Sequence, residues 1–190
     1  MKMVENYKEI LYDNARMETE RLILRKAVKN DAADMLEYAG DEETLKYNVW
    51  KGAKTIEENV KSIVDFHWPN PGVWVIELKE SQKCIGVIDI RIKPEHENGS
   101  FGFVLNRNYW NKGYMTEVLS EILELCFDKL DLNRVEASHI VGNEGSGRVM
   151  QKCGMKLEGV SVQGSKIKGV FRDMAHYGLT KEQWRDFKRH

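Results

Sequence analysis

The chain has 190 residues, 42% of them apolar and 31% charged, so it has enough core-forming side chains to fold without disulfide or metal staples. Its 29 basic and 30 acidic residues leave a formal charge of −1, which argues against a protein that works on nucleic acid, where a strong basic excess is expected. No run reaches the roughly 18 apolar residues of a membrane span, and the charged stretch 1–13 has no apolar core of a secretory signal, so a cytoplasmic location is expected.

Val4–Leu11 is predicted as a short helix ahead of the domain, and Glu20–Ala27 alternates as a first strand. Asn30 is an expected N-cap for a helix over 31–38, because its side-chain oxygen can accept from a free helix amide. Thr55 opens the pattern T-I-E-E, which predicts a capped helix running to about Phe66. The stretch 68–72, W-P-N-P-G, is a turn.

Three strands follow, at 73–78, 84–92 and 100–105, with short polar connections that suit antiparallel hairpins. The strongest helical pattern runs from Met115 to Leu130. Its apolar positions 115, 118, 119, 122, 125 and 126 share one face, and Glu117, Glu121, Glu124 and Asp128 are expected to face solvent. A strand at 134–141, a helix at 146–153 stopped by Gly154, and a final strand pair at 156–162 and 169–179 complete the chain. Strand, long helix, strand in the middle implies one parallel crossover in a mostly antiparallel sheet, an α+β fold of about seven strands flanked by helices.

Two segments could carry chemistry. Asn106 to Glu117, N-R-N-Y-W-N-K-G-Y-M-T-E, joins a strand to the start of the strongest helix. Free amides there can hold phosphate, Gly113 lets the backbone approach a ligand, Lys112 adds a cation and Thr116 a hydroxyl. The same pattern would serve an ordinary strand-to-helix turn. Val141 to Met150, V-G-N-E-G-S-G-R-V-M, again runs a strand into a helix, where Asn143 could cap and Ser146 could cap or face a ligand. The glycines at 142, 145 and 147 have the wrong order for a dinucleotide fingerprint, and G-S-K after Gly159 is no phosphate loop. Cys84, Cys126 and Cys153 lie far apart in apolar runs and are expected to be buried. Neither they nor the five histidines have metal spacing, so no metal is expected, and His139 within its strand is expected to be a satisfied core or rim histidine.

Y-W-N-K-G-Y-M-T-E, an amphipathic helix, a strand, N-E-G-S-G-R-V-M-Q-K-C-G-M and two more strands together resemble the GNAT acetyltransferase superfamily. The opening T-E-R-L-I-L-R and the late F-R-D-M-A-H-Y-G-L-T are most similar to its branch of ribosomal-protein N-terminal acetyltransferases. The resemblance spans residues 17–184, and makes 17–190 the domain and 1–16 an N-terminal extension. It implies that acetyl-CoA is bound by Trp110, Asn111, Lys112, Gly113, Tyr114, Met115 and Thr116, with its pyrophosphate on the helix start. It also implies a V-shaped splay between the strands ending at Leu105 and Val141. Val104 and Leu105 would line the pantetheine arm, Asn143 would contact the cofactor, and Ser146 would lie near its sulfur and protonate the thiolate.

The family's usual first and last loop residues are replaced by Trp110 and Met115, Met150 stands where many members have an acidic tyrosine, and the strand 100–105 lacks the frequent glutamate base. The general base is therefore unassigned, with Glu77 and Asp89 as neighbours that could serve. The implied activity is acetyl transfer to a primary amine, either a protein N-terminus or a small amine such as a polyamine, amino acid or antibiotic. A module that binds CoA without catalysis is a third reading. The expected partners are acetyl-CoA and the amine acceptor, without nucleic acid or membrane, and a homodimer is left open.

Overall fold

The structure, a computed structural model, describes residues 2–189. Eight strands form one sheet in the order β1-β2-β3-β4-β5-β6-β8-β7, one strand more than the sequence predicts. The chain divides into two compact units, Met1–Ile90 with Gly102–Val118, and Arg91–Phe101 with Leu119–His190.

The first unit opens with helix α1 (Lys2–Asp13), which covers the predicted 4–11. Its Leu11 is buried, and the carbonyl of Asn14 just beyond it accepts from the indole of buried Trp74 at 2.9 Å. Strand β1 (Met17–Glu18) is only two residues long and pairs antiparallel with β2 (Leu22–Arg25), which in turn pairs with β3 (Val73–Leu78). Strand β3 matches its predicted bounds, because its run of largely buried apolar residues is bracketed by a Pro-Gly turn and a charged hairpin. It pairs antiparallel with β4 (Lys83–Lys93), which is followed by β5 (Asn98–Leu105).

Between β2 and β3 lie α2 (Ala32–Ala39), α3 (Glu42–Leu45) and α4 (Ile56–Ser62), the last ending in a π turn over Ile63–His67. Thr55 caps α4 as its sequence predicts, accepting from the Glu58 amide at 3.2 Å. Ala32, Met35, Tyr38, Ala39, Ile63, Val75, Cys84 and Val104 form the buried core under these helices.

The expected Asn30 cap does not form. Residues Lys29–Asp31 make a 3-10 turn, and α2 starts at Ala32. The reason is electrostatic: the buried Asp31 carboxylate binds both terminal nitrogens of Arg25, at 2.7 and 2.8 Å, and the Val28 amide at 2.8 Å. Arg25 also donates to Glu77 at 2.5 Å, so one guanidinium neutralises two largely buried carboxylates. Burial disfavours charge on Arg25, but the two carboxylates, Asp31 foremost, hold it protonated.

In the second unit β5 pairs parallel with β6 (Arg134–Ile140), which is the predicted crossover. That ladder holds three residue pairs, Asn98↔Arg134 to Ser100↔Glu136. Strand β6 continues along β8 (Val170–Thr180) as far as Ile140↔Met174, while β5 runs on to Leu105. Strands β7 (Lys156–Ile167) and β8 form a hairpin closed by Lys168 and Gly169, both at positive φ (50° and 84°), the backbone of a type I′ turn.

Helix α5 (Tyr114–Glu124) ends in a π turn over Leu125–Lys129. Its residues Val118, Leu119, Ile122 and Leu123 are fully buried, as their spacing requires. Helix α6 (Glu144–Lys152) follows β6, and Gly154 at φ 85° ends it as predicted. The sequence reading overlooks helix α7 (Lys181–Lys188), although Thr180 and Gln183 form a reciprocal capping box at its start and Trp184 is buried. All three cysteines are buried.

Candidate functional site

The strand-to-helix segment after β5 is held in place by two backbone carbonyls and by the carboxylates of Glu37 and Asp41. Asn106 is buried, its amide bonds the Ile85 carbonyl at 2.8 Å, and its side chain donates to Glu37 of α2 at 3.1 Å. Lys83 pairs with the same Glu37 at 2.5 Å, and Arg107 pairs with Asp41 at 3.4 Å. The Trp110 indole donates to the Leu105 carbonyl at 2.7 Å, which folds the loop back on the end of β5.

Beyond Trp110 the backbone turns twice through positive φ, at Asn111 (59°) and Gly113 (81°). A residue with a branched or bulky side chain would be strained at either place, and glycine at 113 leaves the backbone open on that side. The Gly113 carbonyl accepts the first helical bond, from the Glu117 amide at 3.0 Å. Lys112 lies 5.3 Å from the Tyr109 ring centre, and Arg21 lies 4.4 Å from that of Tyr114. Two cations thus flank the start of α5, where the helix dipole already favours an anion.

Glu117 corrects the expectation that it faces solvent. It sits in the first turn of α5 with its side chain only 16% exposed. Its carboxylate accepts from the Thr19 hydroxyl (2.5 Å), the Arg21 amide (2.8 Å) and the Arg21 guanidinium Nε (2.7 Å). Burial works against its charge, but these three bonds outweigh burial and hold its pKa below the ordinary 4.5. A depressed carboxylate stabilises the fold fully above its unfolded pKa, and that stabilisation is lost as pH falls through the folded value. Glu117→Gln should therefore melt below the wild type at pH 7, with the gap narrowing as the pH of the melts falls below the ordinary 4.5.

The sequence-predicted loop residues divide by what they can offer. Asn111, Lys112 and Gly113 are exposed, Tyr114 and Thr116 half-buried. Met115 is buried and turns its side chain into the core, so only its backbone can serve a ligand. Val104 and Leu105 are likewise buried, and the Leu105 carbonyl is occupied by Trp110.

In the second unit, Asn143 takes the cap of α6, its Oδ1 accepting from the Ser146 amide at 3.4 Å. That assigns the capping role and leaves the half-buried Ser146 hydroxyl outside it. One turn on, Gly147 is required sterically: a Cβ there would lie 2.9 Å from His139 Nε2 and 3.1 Å from the Tyr177 hydroxyl. His139 stacks on Tyr177 (5.5 Å between centroids). Its Nδ1 lies 2.9 Å from the Ile140 carbonyl, whereas its buried Nε2 has no hydrogen-bond partner, so the expectation of a satisfied histidine is half met. Of the two candidate bases, Glu77 is engaged by Arg25, and Asp89 also has an interaction partner. Among the described residues no three His, Cys, Asp or Glu side chains are gathered as a metal site would need.

Thr19, Arg21 and Glu117 are the part of this arrangement that the sequence reading misses. The only signal was the T-E-R-L run itself, and nothing in it reveals a partner 96 positions away.

Residues 21–156 match the family model of the acetyltransferase (GNAT) domain. Among curated proteins, the chain is similar to the "Uncharacterized N-acetyltransferase YnaD" of Bacillus subtilis, 32% identical over 87% of this chain and 97% of that protein. The "Putative ribosomal N-acetyltransferase YdaF" of the same organism is 29% identical over 56% of this chain and 58% of its own. Among solved structures, a GNAT-family acetyltransferase from Bacillus anthracis superposes with a TM-score of 0.80 at 26% identity, covering 88% of this chain and 99% of that one.

Proposed function

Because the chain belongs to the GNAT acetyltransferase family, we propose that it uses acetyl-CoA to acetylate the N-terminal α-amine of a protein or peptide, of the ribosomal-protein type. The observation that carries the acceptor class is the missing base. The stretch Ser100–Leu105 carries no carboxylate, and Glu77 is committed to Arg25. An α-amine with pKa about 8 is roughly one-tenth neutral at pH 7, whereas a lysine amine near 10.4 is below about a thousandth neutral. A site with little help to give can use the first and not the second. The similarity to the "Putative ribosomal N-acetyltransferase YdaF" supports the ribosomal part of this reading.

In this reading residues 17–190 are the catalytic domain, and the loop Trp110–Thr116 binds the pyrophosphate through the backbone amides at the head of α5, with Lys112 beside them. Past Ser100 the edge of β5, with Val104 and Leu105, takes the pantetheine arm in the manner of an added strand. The neutral amine attacks the thioester carbonyl, a backbone amide on that strand stabilises the developing oxyanion, and the amine's proton leaves to water. The Ser146 hydroxyl protonates the departing thiolate and regains a proton from the water that takes up the amine's, and Asn143 orders the turn that presents it. A cytoplasmic location goes with this reading; no described helix is long and apolar enough to cross a membrane.

Two peptides test the acceptor, each with one lysine, one with a free and one with a blocked N-terminus. Acetylation of the free N-terminus alone is expected, with kcat/KM rising with pH and levelling near about pH 8 as the amine loses its proton. Acetylation confined to the lysine of the blocked peptide, or to a polyamine, overturns the α-amine reading, and acetylation of a free amino acid but of neither peptide overturns the protein acceptor.

A further inference from the structure

We infer that Arg21 is a cofactor-phosphate residue, oriented by Glu117 and Thr19, and that it binds the pyrophosphate through its Nη2 edge. The inference rests on the reading that the loop Trp110–Thr116 takes the pyrophosphate, and it adds a residue from outside that loop.

The guanidinium is fixed on two of its three nitrogens. Nε donates to Glu117 Oε2 at 2.7 Å, and Nη1 donates to the Lys112 carbonyl at 3.0 Å. Its Cζ also lies over the Tyr114 ring, 4.4 Å from the ring centre. Those contacts point the third nitrogen, Nη2, at Gly113: it lies 3.4 Å from where a Cβ would sit. The side chain remains 41% exposed. The one residue of the loop that has no side chain therefore has a guanidinium edge beside the gap. The N–H groups of Nη2 suit phosphate oxygens, and a charge-assisted bond is stronger than a neutral one.

Glu117 and Thr19 are positioning residues. The Glu117 carboxylate is fully engaged by Thr19 and Arg21 and has the role of holding the arginine. By gripping the Lys112 carbonyl, Arg21 also fixes the loop just before its positive-φ turn, so the site is formed before the ligand arrives.

The test compares acetyl-CoA with acetyl-pantetheine, which lacks the phosphates, as donors for wild type, Arg21→Gln, Arg21→Lys, Glu117→Gln and Gly113→Asp. Arg21→Gln should raise the KM for acetyl-CoA about 10- to 100-fold with the loss falling on KM rather than kcat, while the KM for acetyl-pantetheine stays put. Arg21→Lys should recover part of the loss, and Glu117→Gln should show a smaller rise of the same kind. Where Arg21→Gln does not fold at the assay temperature, Arg21→Lys reads the same donor ratio. An Arg21 variant that leaves the acetyl-CoA KM unchanged, or that loses both donors equally, overturns the inference. Gly113→Asp separates the two ideas: if it too leaves acetyl-CoA binding intact, the loop reading itself has failed. If it alone weakens binding, only the role of Arg21 has.

Discussion

Replacing Gly113 by aspartate is expected to weaken CoA binding by about a thousandfold, since like charges about 4 Å apart at an effective dielectric near 20 repel by about 4 kcal/mol. The position is exposed, and its φ of 81° places the new carboxylate beside Arg21 Nη2. There it would take the arginine for itself as well as repel the pyrophosphate. Gly113→Asn is the control, because asparagine tolerates the left-handed region and carries no charge. It should cost much less than the aspartate. Calorimetric titration with CoA measures both. An aspartate variant that folds and binds CoA like the wild type removes the pyrophosphate from this loop.

Ser146→Ala is expected to reduce kcat by roughly 10²- to 10⁴-fold, the usual contribution of a positioned proton donor. The geometry makes this a clean experiment. The cap of α6 belongs to Asn143, so removing the Ser146 hydroxyl leaves the capping bond to its backbone amide in place. Stability should hardly change. Asn143→Ala should do the reverse in part, lowering stability by about 1 kcal/mol as a lost cap does. Thermal melts beside kcat at saturating acetyl-CoA distinguish the two residues. If Ser146→Ala lowers the melting temperature and leaves kcat untouched, the hydroxyl is structural and the thiolate is protonated by another group.

The elements with strong periodicity were legible because their patterns are decided locally. Strand β3 has its predicted bounds, α5 buries the predicted apolar stripe, and Thr55 caps α4. Elements too short for a pattern were missed: β1 has two residues and α3 four. Helix α7 was hidden by its polarity, although the run T-K-E-Q carried a capping-box signal. The errors at charged residues share a cause. Asn30 had the right chemistry for a cap, but Asp31 was drawn to Arg25. Glu117 had the spacing of a solvent-facing residue, but its turn of the helix is met by Thr19 and Arg21. Helical spacing reports a face and does not report what covers it. The loop at 106–116 could be marked from its glycine and lysine, whereas the arginine beside it comes from the turn between β1 and β2, far back in the chain.

The three-pair ladder between β5 and β6 has a consequence for how the second unit comes together in time. The β7–β8 hairpin is joined by a two-residue turn and can zip on the microsecond scale of hairpins. Strand β6 then adds to β8 through a run of antiparallel pairs. The parallel pairs Asn98↔Arg134 to Ser100↔Glu136 are different, because the whole of α5 must form and cross over before any of them can close. Their loop-closure entropy is spent for only three pairs, so they gain least from early formation. The order this favours is hairpin first, β6 second and the parallel seam last, the seam being slowed by the length of chain it must close rather than by helix formation, which is faster than hairpin formation.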